Sequence, residues 1–154
     1  MNLLPLDLKI LALLQGDARL TIHAIAAATG ASAAACQRHL TKIEAGGVIA
    51  GYRAVLDAQT LGLVLRAFVF VRRSREAHRQ TVLDAILALP EVVACHVISG
   101  EHDFLLEIVA RDMQHFADAT LGQLAAIPGI VDHRTTFAIS SLRIGGPLPI
   151  AASV

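Results

Sequence analysis

Residues 24–44 read AIAAATGASAAACQRHLTKIE, and this stretch decides the fold of the first part of the chain. Its alanine-rich helical pattern stops at Gly30, a residue that takes the positive φ of a tight turn without strain. Ser32 follows two positions later and can cap a new helix, because its hydroxyl accepts hydrogen bonds from first-turn amides. That helix ends where Gly46 and Gly47 stand. The spacing predicts a helix-turn-helix.

Three helices are predicted in this part of the chain, from apolar residues that recur at helical intervals. They cover about residues 6–15, residues 22–29 with Thr21 as the N-cap, and about residues 33–45. The following segment, residues 48–56 (VIAGYRAVL), has strand propensity and is expected to form a short wing beside the helices. One alternative stays open, namely a purely structural alanine-rich bundle with solvated Arg38 and Lys42.

The third helix is expected to enter the major groove of DNA by its N-terminal turns. Gln37 can pair with adenine and Arg38 with guanine or a phosphate, whereas the alanines offer only apolar contact. The candidate DNA-binding residues are Ser32, Ala34, Ala35, Gln37, Arg38, His39, Thr41, Lys42 and Arg53. Within this set, phosphate or positioning contacts are expected from Ser32, His39, Lys42 and Arg53. Because basic residues are few, binding should need two or more copies on paired half-sites.

Residues 63–142 contain a weak internal repeat of two strand–helix–strand units, each with a proline before its last strand. The strands are expected at residues 64–72, 92–98, 104–110 and 131–140, and the helices at about residues 76–89 and 113–126. Two such units in succession form a ferredoxin-like βαββαβ sandwich. The fold class is therefore α+β, with an N-terminal winged helix-turn-helix and a C-terminal ferredoxin-like βαββαβ sandwich.

The first strand of the second domain is apolar on both faces. Alternation places Leu65, Ala67, Val69 and Val71 on one face and Val64, Phe68 and Phe70 on the other. Helices cover only one face of such a sheet, so the second apolar face predicts a partner sheet and a homodimer. The predicted domain division is 1–56 for the helix-turn-helix, 57–62 for a hinge, 63–142 for the sandwich and 143–154 for a tail.

The composition excludes several classes of protein. Of the 154 residues, 55% are hydrophobic and 17% are charged, which is typical of a folded chain. No apolar run approaches the about 18 residues that span a bilayer, and the N-terminus lacks the basic start of a signal peptide. A cytoplasmic location without membrane contact is therefore expected. Thirteen basic and thirteen acidic residues balance, so any DNA-binding surface must be local.

The sequence shows no catalytic or metal-binding motif. Cys36 and Cys95 form no CxxC pair, and the histidines His96, His102 and His133 lack the short spacing of metal ligands. A phosphate-cradling glycine loop, a nucleophile elbow and an HExxH motif are also missing from the sequence. We therefore expect no metal, no cofactor and no enzymatic activity.

A series of short motifs, in order along nearly the whole chain, resembles the Lrp/AsnC family of feast/famine transcriptional regulators. They are LDLKIL (6–11), GDAR (16–19), GAS (30–32), EAGGVIAGY (44–52), PEV (90–92), SGEHDFLL (99–106), RDM (111–113), PGI (128–130) and RTT (134–136). The resemblance implies a regulator that binds double-stranded DNA sequence-specifically. It also implies that the second domain dimerises, that dimers assemble into tetramers or octamers, and that an amino acid binds near the dimer interface.

The resemblance further implies an effector site at the loop of residues 99–104 and at RTT. The candidate effector-binding residues are Ser99, Gly100, Glu101, His102, Asp103, Phe104, Arg134, Thr135 and Thr136. Amides around Gly100 can hold a carboxylate, and Asp103 can accept from an ammonium group. An alternative stays open, a hairpin in which Gly100 serves the turn and Asp103 binds backbone amides. The chain departs from the family at Glu101-His102 and at Ala31, so the identity of the effector stays open.

Two other functions are compatible with parts of the sequence. Siroheme decarboxylase subunits resemble the same family, but residues 92–98 offer only His96, among apolar residues, for the carboxylates of a tetrapyrrole. An amino-acid-sensing module without DNA binding is the second alternative. The preferred interpretation is a transcriptional regulator in which an effector changes the assembly and thereby the affinity for the operator.

Overall fold

The computed structural model describes residues 2–150, except for the side chain of Ala119, and its chain divides into two compact units. The first unit contains the residues up to Val55 together with those from Arg143 onward, and the second is Leu56–Leu142. The change from the first unit to the second falls after Val55, and the segment predicted as a hinge, residues 57–62, lies in the second unit. The predicted tail differs, because its residues 143–150 belong to the first unit, and residues 151–154 lie outside the described residues.

Three helices form the first unit: α1 (Pro5–Gly16), α2 (Ile22–Thr29) and α3 (Ala33–Ala45). The predicted caps are present, since the hydroxyl of Thr21 accepts from the amide of Ala24 and that of Ser32 accepts from the amide of Ala35. Gly30 has a φ of 72° in the turn between α2 and α3. The helices enclose a small core of Ile10, Leu11, Ile25, Cys36 and Ile43. The helix-turn-helix prediction is confirmed.

The strand predicted for the wing is not observed. Residues 48–56 are all described by the structure, and none of them is in a strand. Strand propensity alone does not form a strand, because the backbone groups need a neighbouring edge with which to pair. The described part of the first unit consists of helices and irregular backbone. The prediction was therefore wrong for this segment, and Val55 and Leu56 remain 92% and 70% exposed.

The segment after Arg143 packs against α1. The side-chain amide of Gln15 donates to the carbonyl of Leu148 at 3.2 Å, and the amide of Leu148 donates to Gln15 Oε1 at 2.6 Å. Prolines at 147 and 149 have no N–H, so Leu148 supplies the one backbone donor of this tripeptide. Ile150 is partly buried against the core of the first unit. These contacts explain why residues 143–150 belong to the same unit as α1.

The second unit contains four strands: β1 (Leu65–Arg73), β2 (Val92–Val97), β3 (Phe104–Ala110) and β4 (Ile130–Phe137). They form one antiparallel sheet in the order β2-β3-β1-β4. Helix α4 (Arg79–Leu87) joins β1 to β2. A continuous helical segment joins β3 to β4 and comprises α5 (Met113–His115), a π-helical turn (Phe116–Leu121) and α6 (Gly122–Ala126). This topology confirms the ferredoxin-like βαββαβ prediction, and α4 begins three residues later than expected.

The core of the second unit lies between the sheet and its helices. Alternate residues of β1 and β3 face the helices and are fully buried, namely Ala67, Val69, Val71, Phe104, Leu106 and Ile108. The helices contribute the buried side chains of Val82, Ile86, Phe116 and Leu124. The other face of the sheet, called the open face below, carries Phe68, Phe70 and Leu105, which are half-buried. Across residues 2–150, the helices are too short or too polar to cross a membrane.

Candidate DNA-binding and effector surfaces

An exposed row of side chains follows one face of α3. Ala34, Gln37, Arg38 and Thr41 are spaced at helical intervals of three and four and are all exposed; this set is called the readout stripe. The opposite face of α3 is anchored by Cys36 and Ile43, which are fully buried. The amide of Gln37 lies 3.4 Å from the hydroxyl of Thr41 within the stripe. The stripe presents an amide, a guanidinium and a hydroxyl to solvent, which are groups that read base edges and phosphates.

The remaining candidate DNA-binding residues lie elsewhere. The hydroxyl of Ser32 caps α3 at 3.2 Å from the amide of Ala35, and Ala35 itself is half-buried. Arg53 is exposed in the irregular segment after the helices. His39 and Lys42 are directed at a carboxylate of α1, which sequence reasoning did not identify as part of this surface.

That carboxylate is Asp7, which is fully buried. Its Oδ1 accepts from His39 Nδ1 at 2.6 Å, and its Oδ2 accepts from the amide of Leu4 at 2.7 Å and lies 3.7 Å from Lys42 Nζ. Burial, the largest influence, raises the pKa of Asp7, but the hydrogen bonds of Leu4 and His39 and the charges of Lys42 and His39 together lower it. Asp7 is therefore ionised at neutral pH and joins α1 to α3.

The candidate effector residues fall on both sides of the sheet. His102 lies on the open face, where its ring is 5.6 Å from that of Phe70, and its Nε2 is 3.9 Å from Asp132. Arg134 is opposite Phe70 in the β1–β4 register and is exposed. Arg72 lies 3.5 Å from the same carboxylate of Asp132. The structure thus places His102 and Arg134 beside Phe70, Arg72 and Asp132, three residues that were not among the effector candidates.

Asp103 in the same loop is already paired. Its Oδ2 accepts from the backbone amide of Arg73 at 2.9 Å, and its Oδ1 lies 3.4 Å from the Arg73 guanidinium. Gly100 has a φ of 116°, as a turn residue requires here. Both observations match the hairpin alternative for this loop. Ser99, Gly100 and Glu101 are exposed, so their backbone and side chains are accessible to a ligand.

Two further candidates do not share the open face. Phe104 is fully buried in the core between sheet and helices. Thr135 pairs with the buried Val69 in register and so faces the helices, whereas Thr136 pairs with Phe68 and is exposed on the open face. Strand alternation separates these neighbours, because consecutive side chains point to opposite faces. In the described residues no three His, Cys, Asp or Glu side chains are grouped closely enough to hold a metal ion.

Comparison with known protein families matches both units. Residues 3–50 match the model of a winged helix-turn-helix DNA-binding domain, and residues 66–148 match the model of the Lrp/AsnC ligand-binding domain. The chain is 36% identical over 140 residues to a leucine-responsive regulatory protein of Rhizobium meliloti, covering 90% of each chain. It is 29% identical over 147 residues to a DNA-binding transcriptional activator of Escherichia coli, covering 94% of this chain and 97% of that one.

Solved structures show the same fold. A transcriptional regulator from Neisseria meningitidis, determined as a complex with L-Met, superposes with a TM-score of 0.92 at 30% identity over 97% of this chain and 98% of that one. An AsnC family transcriptional regulator from Agrobacterium tumefaciens superposes with a TM-score of 0.91 at 28% identity, covering 99% of this chain and all of that one. The similarity extends over both units.

Proposed function

This chain belongs to the Lrp/AsnC family, and from that membership we propose that it is a sequence-specific transcriptional regulator whose affinity for its operator is modulated by an amino acid. The observation that carries the proposal is the readout stripe on a capped, glycine-terminated α3. Gln37 and Arg38 are the proposed base-reading residues, and Thr41 and Arg53 are proposed to contact the phosphate backbone of the DNA. Because the relatives compared are bacterial, the protein acts in the cytoplasm, where bacterial DNA lies.

The DNA-binding half of the proposal is tested by fluorescence anisotropy on duplexes selected from a random library. Arg38→Ala should weaken specific binding about tenfold or more, because a good base contact contributes about 1–3 kcal/mol. Arg79→Ala is the matched control, since Arg79 is also an exposed arginine within a helix and carries the same charge. Equal affinities for the Arg38 variant and the wild type would show that this face of α3 does not contact the DNA.

The effector half rests on the β2–β3 loop and the open face beside it. Exposed amides at Ser99 to Glu101 can bind a carboxylate, and His102, Arg134 and Thr136 line the adjacent surface. The relative determined with L-Met supports an amino acid as the ligand class. Calorimetric titration with each of the twenty amino acids, followed by DNA binding with each binder, tests this. If none binds and none changes DNA affinity, the chain does not sense amino acids.

The open face supports a homodimer. Phe68, Phe70 and Leu105 lie on it without a covering helix, and Arg66 forms an ion pair with Glu107 across β1 and β3. A second sheet packed on this face would bury the aromatic rings, and the paired charges lower the cost of removing water. Two such dimers or more would place several α3 helices on paired half-sites. Sedimentation at micromolar concentration should show a dimer or a larger assembly, and a monomer alone would contradict the proposal.

We infer regulation without enzymatic activity. The relatives compared are named as regulators, and β2 offers only His96 among its apolar residues for a tetrapyrrole carboxylate. Absorbance of the purified protein after addition of siroheme tests the enzyme alternative directly. A shifted Soret band followed by loss of carboxylate from the tetrapyrrole would establish it.

A further inference from the structure

A buried carboxylate on α1 holds two side chains of the helix that carries the readout stripe. Asp7 is fully buried, and His39 and Lys42, the residues that it contacts, are both on α3. We propose that Asp7 is a positioning residue for DNA recognition, which fixes the rotation of α3 about its own axis through His39 and Lys42. This inference rests on the proposed function, because it assigns a role in the same DNA-binding surface.

The two contacts lie one helical turn apart along the edge of the readout stripe. His39 directly follows Arg38 in the sequence, and Lys42 directly follows Thr41. A rotation of α3 by about 10° would move a side-chain tip on its surface by about 1 Å, since the helix has a radius of about 5–6 Å with its side chains. Such a shift exceeds what a hydrogen bond to a base edge tolerates. Two anchors on one edge resist this rotation more than either would alone.

The buried core of the first unit leaves this rotation weakly determined. Ile43 of α3 is apolar, and Cys36 adds only a weak contact of 3.5 Å between its Sγ and the hydroxyl of Thr29, so the contacts of these two core residues have little direction. Asp7 constrains the rotation of α3, because its hydrogen bond of 2.6 Å with the ring of His39 allows only a narrow range of lengths and angles. Burying a carboxylate is costly unless it is fully hydrogen-bonded, and here both oxygens have partners. A buried polar network of this kind specifies one geometry.

The same contacts divide the basic residues of α3 between two tasks. His39 and Lys42 are directed at Asp7, whereas Arg38 is exposed on the readout stripe. We expect Arg38, with no such partner in the described residues, to be the main cation of α3 for DNA. On this proposal, contacts to Asp7 take the place of the phosphate or positioning contacts that the sequence predicts for His39 and Lys42. Substitution of His39 should thus change base discrimination more than the salt dependence of binding.

Specificity, measured as the ratio of dissociation constants for a selected operator and a scrambled duplex at one salt concentration, tests the proposal. Asp7→Asn and His39→Ala should each lower this ratio about tenfold. His39→Asn should restore it, because its side-chain amide can donate to Asp7 from nearly the same position as Nδ1. Asp17→Asn is the matched control, since Asp17 is an exposed carboxylate that accepts from the amide of Arg19, which asparagine can also do.

A role in stability alone predicts a different pattern. All variants are measured at temperatures where circular dichroism shows them folded, so a loss of stability without misplacement of α3 would leave the ratio unchanged. If Asp7→Asn does not fold, the pair His39→Ala and His39→Asn decides the question. Unchanged specificity in His39→Ala, or equal loss in His39→Asn, would overturn the proposal.

A second measurement needs no DNA. Residual dipolar couplings of backbone amides report the orientation of α3 relative to α1, and His39→Ala should change or average them while His39→Asn preserves them. Identical couplings in the wild type and His39→Ala would overturn the positioning role. If the wild type prefers no duplex but His39→Ala still changes the couplings, the proposed function is disproved, whereas the role of Asp7 in orienting α3 is supported.

Discussion

Gly129 illustrates how one backbone position limits the chain. It precedes β4 with a φ of 94°, and a Cβ placed there would lie 2.4 Å from the Cβ of Ala77. Both the backbone conformation and the space require glycine. Gly129→Ala should therefore destabilise the second unit by about 2 kcal/mol or more, measured by urea unfolding.

Gly16→Ala is the matched control for Gly129, because Gly16 ends α1 with a backbone that alanine adopts and with no atom near its absent side chain. This control should leave stability unchanged or slightly increase it. Equal effects of the two substitutions would contradict the steric explanation.

Asp7 makes the stability of the first unit dependent on pH. Hydrogen bonds lower its pKa in the folded state below the ordinary value of 3.8, despite the opposing effect of burial. A lowered folded pKa stabilises the fold above the unfolded pKa, and this contribution is lost as the pH falls through the folded pKa. When unfolding is followed between pH 6 and pH 3, the free energy of unfolding should decrease once the pH is below about 4. Asp7→Asn should be less stable at pH 6 and should lose less on acidification, and parallel curves would contradict this.

Residues with local roles were predictable, and residues with distant partners were not. Thr21, Gly30 and Ser32 follow from rules that involve only three or four neighbouring residues, and the structure confirms all three. The pair Asp7 and His39 is separated by 32 positions. No pattern in the sequence indicates that α1 and α3 would bring them together, although Asp7 was among the residues that carried the family resemblance.

At the scale of elements, the helix between β3 and β4 departs from the regular pattern. It contains a π-helical turn over Phe116–Leu121, in which the hydroxyl of Thr120 is buried without a hydrogen-bond partner in the described residues. A buried hydroxyl without a partner costs about 1–3 kcal/mol. Thr120→Val has nearly the same shape and should raise the stability of the second unit by about 1 kcal/mol, measured as an increase in its melting temperature.

Thr81→Val serves as the control for Thr120, because Thr81 is an exposed threonine within α4. It should have little effect on the melting temperature. A decrease with Thr120→Val would show that the hydroxyl has a partner in solution, such as a bound water.

Strands and helices differed in how well the sequence predicted them. The strand β3 and the helix α2 match their predicted bounds, because period-two and helical patterns are clear there. The strand prediction for the wing, residues 48–56, was wrong. A strand needs a neighbouring strand edge with which to pair, and the first unit has none within residues 2–55 and 143–150. Among the effector candidates, Phe104 directly follows the loop in the sequence, but strand alternation places its side chain in the core.

At the scale of the whole molecule, the contact of the tail with α1 should stabilise the first unit. Truncation after Leu142 removes both hydrogen bonds of Gln15 and the packing of Ile150. The first unit should lose about 1–2 kcal/mol, and the second unit should be unaffected. Hydrogen exchange of α1 compared with β3 measures the two units separately.

Truncation after Ile150 is the control for the tail, since it retains every contact named for Gln15 and Ile150. Gln15→Ala should reproduce part of the loss. If exchange in α1 is the same in all three variants, the tail does not stabilise the first unit.

The order of domains was predictable from composition, because an alanine-rich helical part and a part with alternating β-branched runs differ strongly. The packing of the tail against the first unit was not predictable, because residues 144–150 (IGGPLPI) have neither a helical nor a strand period. Its place depends on the side chain of Gln15 and on the partly buried Ile150, and both residue types are common in proteins.

The packing of residues 143–150 against the first unit affects the order in which a newly synthesised chain can fold. The ribosome makes Leu148 only after all of Leu56–Leu142 has been made, so the three helices lack their last covering segment while the sheet is already complete in sequence. A nascent chain therefore has all the residues of its sandwich before it has all those of its helical unit. The unit that reads DNA is therefore completed only after the unit that forms the sheet.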